Sequence, residues 1–309
     1  MNNTWKKIMA FAVASCLGCA SLFMLGGCGE SGGANDPNDP QPGGGIEWPP
    51  PGDKPSEDED GGGTEDRAVT FSDEFDGGEI SSAWEFQIGT GTNYGLVDWG
   101  NGEAQYYRRE NASLEDGALK ITLKRESYGG KDYTSARLRT KGSFSQTYGR
   151  FEARIKIDGG AGVWPAFWLM PENDEYGAWP YSGEIDIMEI KGRKQDMSSS
   201  AVHFAASGGE HQYKTSEDKL PDGGTIDDYH VYALEWEPDK MTFYVDDVPH
   251  LVVDDWQSGT TGFPAPYDKD FHIILNLACG GHFDGYILPD NDELPAAMYV
   301  DYVKVYEPL

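Results

Sequence analysis

Between Ala68 and Leu309 the chain is a succession of short runs in which apolar and polar residues alternate, and a period of two leaves little choice of architecture. In 151–157, Phe151, Ala153, Ile155 and Ile157 fall on one side and Glu152, Arg154 and Lys156 on the other, as in a strand with one buried face. Comparable runs occupy 69–75, 118–124, 148–157, 183–190, 230–236, 240–246, 271–277 and 299–306. Pro238-Asp239 and Asp246-Asp247 mark tight reversals around 240–245. There is no internal repeat, and no amphipathic helical run exceeds about ten residues, too short to be stable alone. Roughly a dozen strands in one domain, 68–309, predict an all-β fold, a β-sandwich.

The first 67 residues are of another kind. Lys6 and Lys7 precede Ile8–Gly27, which carries no charge, the order of an export signal. Twenty such residues also suffice to span a bilayer, so a cleaved signal and a permanent anchor both stand. Leu25-Gly26-Gly27-Cys28 resembles a bacterial lipoprotein box. The resemblance implies a signal over 1–28 with Cys28 lipidated. The protein is then extracytoplasmic, anchored to a bacterial membrane and open to display at the cell surface. Cys16 and Cys19 would leave with the signal, and Cys279 would be the one free thiol. Residues 29–67 hold eleven acidic residues against Lys54 and Arg67, with Gly and Pro between them. Such a segment buries too little apolar surface to offset its ordering entropy and reads as a disordered tether. Over the whole chain 53 Asp+Glu stand against 24 Lys+Arg, a net charge of −29. That balance repels phosphate backbones, so nucleic acid is not a partner. The expected form is a monomer.

The most informative stretch is Gly183-Glu184-Ile185-Asp186-Ile187-Met188-Glu189-Ile190. In a regular strand Glu184 and Asp186 share one face, while Glu189 falls on the other. A single bulge between Asp186 and Glu189 turns Met188 aside and sets three carboxylates in a row. Two carboxyls at this spacing suit glycoside hydrolysis, one attacking the anomeric carbon and the other protonating the leaving oxygen. A third between them raises the pKa of its neighbours by like-charge repulsion, which keeps an acid protonated near neutrality.

Glu184-Ile185-Asp186-Ile187-Met188-Glu189 resembles the active-site signature of glycoside hydrolase family 16, in the bulged form typical of laminarinase-like endo-β-1,3-glucanases. The segments 99–107, 133–137, 148–154, 162–170, 276–281 and 298–306 are similar to the family's other strands and loops. The resemblance implies a jelly roll of the concanavalin A type with a concave substrate cleft, and hydrolysis with retention. It implies Glu184 as nucleophile, Asp186 as helper and Glu189 as acid/base, with no cofactor for catalysis. β-Glucan is the implied substrate, of laminarin type or of mixed β-1,3-1,4 linkage. Galactan hydrolases share the fold, but 99–107 and 162–170 favour glucan. A jelly-roll carbohydrate-binding protein without turnover is the competing class, against which three crowded acids argue.

Sugars present C–H faces that stack on aromatic rings, so Trp164, Trp168 and Trp179 are candidate contacts, with core packing as their alternative. Trp164 and Trp168 share a face if their strand is regular. His203 is read as a residue near the leaving-group side or as a hydrogen-bonded core histidine. Arg137 faces either the nucleophile or a sugar, or serves a structural ion pair. Asn101 and Glu103 are expected on the glycone side, Asn276 as a contact or a strand cap, and Phe283 as a stacking residue. Where laminarinases commonly continue Gly-Gly with Asn-Trp, this chain has His282-Phe283, and their Asn-Asn-Glu is Asn101-Gly102-Glu103 here. The resemblance also implies one structural calcium ion, at Glu74, Gly117 and Asp301, and oxygen ligands suit that ion.

Overall fold

In a computed structural model, which describes residues 67–256 and 262–309, the alternating runs become strands of two stacked sheets. In chain order these are β1 (Val69–Asp73), β2 (Glu85–Phe86), β3 (Gln105–Tyr107), β4 (Ala112–Glu115), β5 (Ala118–Tyr128) and β6 (Lys131–Ser135). There follow β7 (Arg137–Arg139), β8 (Gly149–Asp158), β9 (Val163–Pro171), β10 (Glu184–Glu189), β11 (Met197–Ala205) and β12 (His211–Lys219). The last are β13 (His230–Trp236), β14 (Met241–Val245), β15 (Val248–Val253), β16 (Phe271–Cys279) and β17 (Ala296–Tyr306). The larger sheet runs β15-β14-β13-β8-β17-β5-β6-β3, with β1 beside β17 and β4 beside β5. The smaller runs β12-β11-β10-β9-β16-β7-β2.

Phe151 and Ile155 of β8 meet Phe167 of β9, Ile185 of β10 and Leu275 of β16 in one fully buried cluster between the sheets. This is the two-sheet, all-β sandwich that the alternation predicts. Each of the eight alternating runs contains a strand, and the described residues hold more strands than the dozen expected. Two of the others lack the pattern. Serines 198–200 of β11 are buried, so their polarity hides a strand, and β12 is a polar sheet edge with no apolar face to read. β4 and β5 join through Asp116-Gly117, both at positive φ, and β14 and β15 through Asp246-Asp247, likewise. Two-residue turns of that hand follow the twist of the strands they connect.

One consequence positions everything functional. Phe167, Leu169, Ile185, Leu275 and Leu277 face the core, so Trp168, Asp186 and Asn276, their neighbours in sequence, face away from it. The outer face of the smaller sheet is therefore polar and aromatic. β11 and β12 flank β10 on one side, β9, β16, β7 and β2 on the other.

Candidate active site

The bulge on β10 is real, and it moves two residues. Ile185 pairs with Leu169 and Asp186 with Trp168, but Met188 pairs with Phe167 and Glu189 with Ala166, leaving Ile187 unmatched. Ile187 joins Met188 in the core, where sequence reasoning turns Met188 alone aside. Both are fully buried, so the apolar side of the strand anchors the irregularity. Glu184, Asp186 and Glu189 consequently share the outer face. They line one cleft with Asn101, Glu103, Arg137, Trp164, Ala166, Trp168 and Asn276. Nine of the twelve residues expected to act on or touch sugar thus converge there. The other three stand beside it.

Asp186 is buried at the centre of the row, while Glu184 and Glu189 are partly open to the cleft. Burial, and then repulsion by Asp186, push the Glu184 carboxyl up to about 7 and Glu189 up to about 8. Both carboxyls are thus held above the ordinary range, so one of the pair can keep its proton near neutrality. Trp164 Nε1 donates to Glu189 Oε1 at 2.9 Å, which favours the ionised form and keeps the rise in check. His203 Nε2 lies 3.1 Å from Asp186 Oδ2, a close charge pairing and not an aligned hydrogen bond. Burial pulls His203 down, but Asp186, Glu184 and Glu189 raise it more, to about 9, so it is an imidazolium at neutral pH. Among the described residues, Glu184, Asp186 and His203 are the group whose ligand atoms lie close enough to hold a metal, within 4.8 Å of one another. A protonated His203 fits a counter-ion for three acids better than it fits a metal ligand.

The walls depend on contacts that the sequence does not announce. The Arg137 guanidinium carbon sits 4.6 Å from the ring of Trp99 and 4.7 Å from that of Trp168, and its Nε donates to Gln87 Oε1 at 2.6 Å. Among the described residues it neither bonds a carboxylate directly nor forms an ion pair, and instead stiffens the aromatic wall. Trp168 Nε1 donates to Asn276 Oδ1 at 2.7 Å, and Asn276 lies inside β16, so it is no strand cap. Glu103 accepts from Asn101, Gln105 and Tyr107, and burial raises its pKa against those bonds and Arg137. Phe283 stacks on Trp164 at 5.0 Å. On the opposite side His203 Nδ1 lies 2.8 Å from His211 Nε2, and the Trp179 ring, 47% exposed, is 4.6 Å from His211. Trp99, Gln87 and His211 were missed as site residues. Trp99 stood in a segment already singled out, but nothing in sequence spacing places His211 on β12 against His203.

Register sets the expected calcium positions around one stretch of β17. β5 and β1 pair with successive parts of one edge of β17, Leu119 with Val300 and Asp73 with Val303. Glu74 and Gly117, just outside those pairs, flank the junction that holds Asp301. Oxygen donors at such a junction fit calcium. Each carboxylate also meets a cation, Glu74 with Lys304 at 3.0 Å and Asp301 with Arg154 at 2.8 Å. Cys28, the signal over 1–28 and most of the tether over 29–67 lie outside the described residues.

Comparison with known proteins places this geometry in context. The profile of the family described as Glycosyl hydrolases family 16 matches residues 99–303. The chain is 40% identical over 253 residues to a beta-glucanase of Rhodothermus marinus, covering 77% of this chain and 84% of that protein. It is 40% identical over 230 residues to a glucan endo-1,3-beta-glucosidase of Cryptopygus antarcticus, covering 70% and 82%. Other relatives are longer. The chain spans 34% of the clotting factor G alpha subunit of Tachypleus tridentatus and 38% of the glucan endo-1,3-beta-glucosidase A1 of Niallia circulans. The laminarinase catalytic domain of Thermotoga maritima superposes with a TM-score of 0.71 at 37% identity, covering 79% of this chain and all of that one.

Proposed function

The chain belongs to glycosyl hydrolase family 16, and from that premise we propose that it is a retaining endo-β-1,3-glucanase acting on laminarin-type glucan. The observation that carries the proposal is the row of Glu184, Asp186 and Glu189 on one face of β10 in an aromatic cleft. In the first step the Glu184 carboxylate attacks the anomeric carbon as the glycosidic bond breaks, and the Glu189 proton passes to the departing oxygen. The product is a glycosyl ester on Glu184. In the second, Glu189, now ionised, takes a proton from water as the water oxygen attacks the same carbon and frees Glu184. Two inversions give retention. The charge of the row stays constant between the steps because Glu184 becomes a neutral ester as Glu189 becomes a carboxylate, with Asp186 and the His203 cation unchanged beside them. Trp164, Trp168, Phe283 and Trp179 offer faces to sugar rings, and Asn101, Glu103, Arg137 and Asn276 are the polar lining.

The test incubates the purified protein with laminarin, curdlan, lichenan, barley glucan, agarose and carrageenan, with Glu184→Gln as control. Mixed short oligomers from laminarin, retaining configuration by proton NMR and lost in the control, are expected. Faster turnover of barley glucan moves the function to mixed-linkage glucan. Cleavage of a galactan alone refutes the substrate, and tight retention of a polymer without cleavage means a binding protein.

The anchor and the metal belong to the same proposal. Leu25-Gly26-Gly27-Cys28 supports lipidation at Cys28 and a place outside the cytoplasm, which would hold the cleft near polymer too large to import. Palmitate labelling lost in Cys28→Ser is the expected result. The junction of Glu74, Gly117 and Asp301 supports one structural calcium ion, remote from the acids. A melting temperature raised by calcium, and not raised in Asp301→Asn, is the check.

A further inference from the structure

Tyr286 combines two features that do not serve stability. Its φ is +61°, directly after Gly285 at +66°. A bulky residue in the left-handed region is strained, and glycine or asparagine would hold the same turn more easily. The residue is also 64% exposed, so burial does not repay the strain. The conformation is nevertheless enforced. Tyr286 N–H donates to Gly281 O at 2.7 Å, and Gly281 packs so close to Trp164 that a Cβ there would lie 2.8 Å from the indole.

The ring is aimed. Tyr286 Cε1 lies 2.9 Å from where a Cβ on Gly102 would stand, so only glycine at 102 lets the ring settle on that backbone. Gly102 is flanked by Asn101 and Glu103, both in the cleft wall. The Asn101 carbonyl also accepts from His282 N–H at 3.0 Å, tying the Tyr286 loop to the same wall. Glu103 bridges to Gly280 at the end of β16, two strand spacings or roughly 10 Å from β10. A ring held on Gly102 is therefore at the rim, away from the bond that is cut.

We propose that Tyr286 is a stacking platform for a glucosyl unit beyond those on the cleft floor, and that it sets a preference for longer chains. The proposal rests on the glucan reading above. A pyranose C–H face supplies a partner for the exposed ring of a tyrosine whose backbone is held in place. Strain retained at an exposed side chain is then explained by binding.

Affinity is measured by calorimetry in the full chain carrying Glu184→Gln, with β-1,3-linked glucose trimer and hexamer, alongside turnover of both by the active enzyme. Tyr286→Ala is expected to weaken hexamer binding by about 2- to 12-fold and to affect the trimer far less. Tyr286→Phe should retain hexamer affinity. Tyr286→Gly should lose it as Ala does, with a melting temperature no lower than that of the parent, because the left-handed turn relaxes. Unchanged hexamer binding, or equal weakening of trimer and hexamer, overturns the proposal while leaving the glucanase reading intact. No cleavage and no binding of either oligomer overturns the glucan reading and this inference with it.

Discussion

Trp164→Phe isolates one hydrogen bond to Glu189, the carboxyl proposed as the catalytic acid. Trp164 Nε1 donates to Glu189 Oε1 at 2.9 Å, and the bond stabilises the carboxylate over the acid. A hydrogen bond to a charged group is worth about 1.5–3 kcal/mol, and about 1.4 kcal/mol is one pKa unit. Glu189 is partly open to the cleft, so the lower end applies and its pKa is expected to rise by about one unit, from about 8 to about 9. A general acid must be protonated in the free enzyme, and kcat/KM reports that state. The alkaline limb of kcat/KM against pH, followed by reducing-end release from laminarin, should therefore move up by about one unit. The acid limb, set by Glu184, should stay. Phenylalanine keeps a ring beside Phe283, so loss of stacking enters KM and not the pH profile. Trp168→Phe is the control, since its indole donates to Asn276 and not to a carboxylate. An alkaline limb that stays in place or moves to lower pH in Trp164→Phe would refute the assignment of Glu189 as the acid.

Three other perturbations follow from the same site. Asp186→Asn removes the like charge that helps raise Glu184 and Glu189, so both limbs of the profile are expected at lower pH, together with a loss of kcat. Glu189→Gln bears on stability. The folded state keeps this proton up to about pH 8 while the unfolded chain releases it near the ordinary glutamate value of 4.5, so the native state loses stability as pH rises through that window. The glutamine variant should melt higher than the parent at pH 8, by calorimetry, with the gain vanishing near pH 4; each kcal/mol corresponds to about 2–4 °C in a domain of this size. Arg137→Lys gives up the guanidinium stacked between Trp99 and Trp168, about 1–2 kcal/mol per desolvated ring. A melting temperature lower by several degrees and a raised KM for laminarin are the outcomes to look for; an unchanged KM would mean that the wall does not hold sugar.

A retaining mechanism on this strand asks for one carboxyl ionised and one protonated in the same few ångströms. Here the two carboxyls sit in unequal environments. Burial and Asp186 raise both acids, while His203 and the indoles of Trp179 and Trp164 draw them back by different amounts. The cleft's aromatic walls are themselves held by polar contacts, as with Trp168 on Asn276 and Arg137 on Gln87. The acids and the cleft walls are thus linked by direct side-chain contacts, as in Trp164 on Glu189.

Much of the fold was legible because a half-buried strand writes its burial into its own sequence, residue by residue. The run 151–157 and the acid strand 184–189 each carry that signal locally, and the acids demanded a bulge because no regular strand sets all three on one face. The same logic failed for β11, where buried serines mimic exposure, and for β12, where a sheet edge has no apolar face to reveal. Sequence alone determined the two-sheet class, the acid row and the aromatic segments beside it, since each depends on neighbours along the chain. Only the tertiary structure decided that Trp164 tunes Glu189, that His211 meets His203, that Trp99 and Trp168 enclose Arg137, and that Tyr286 rests on Gly102. Those contacts join residues from different strands and loops. Cross-strand register and the path of the returning chain bring them together, and neither is encoded in any one segment.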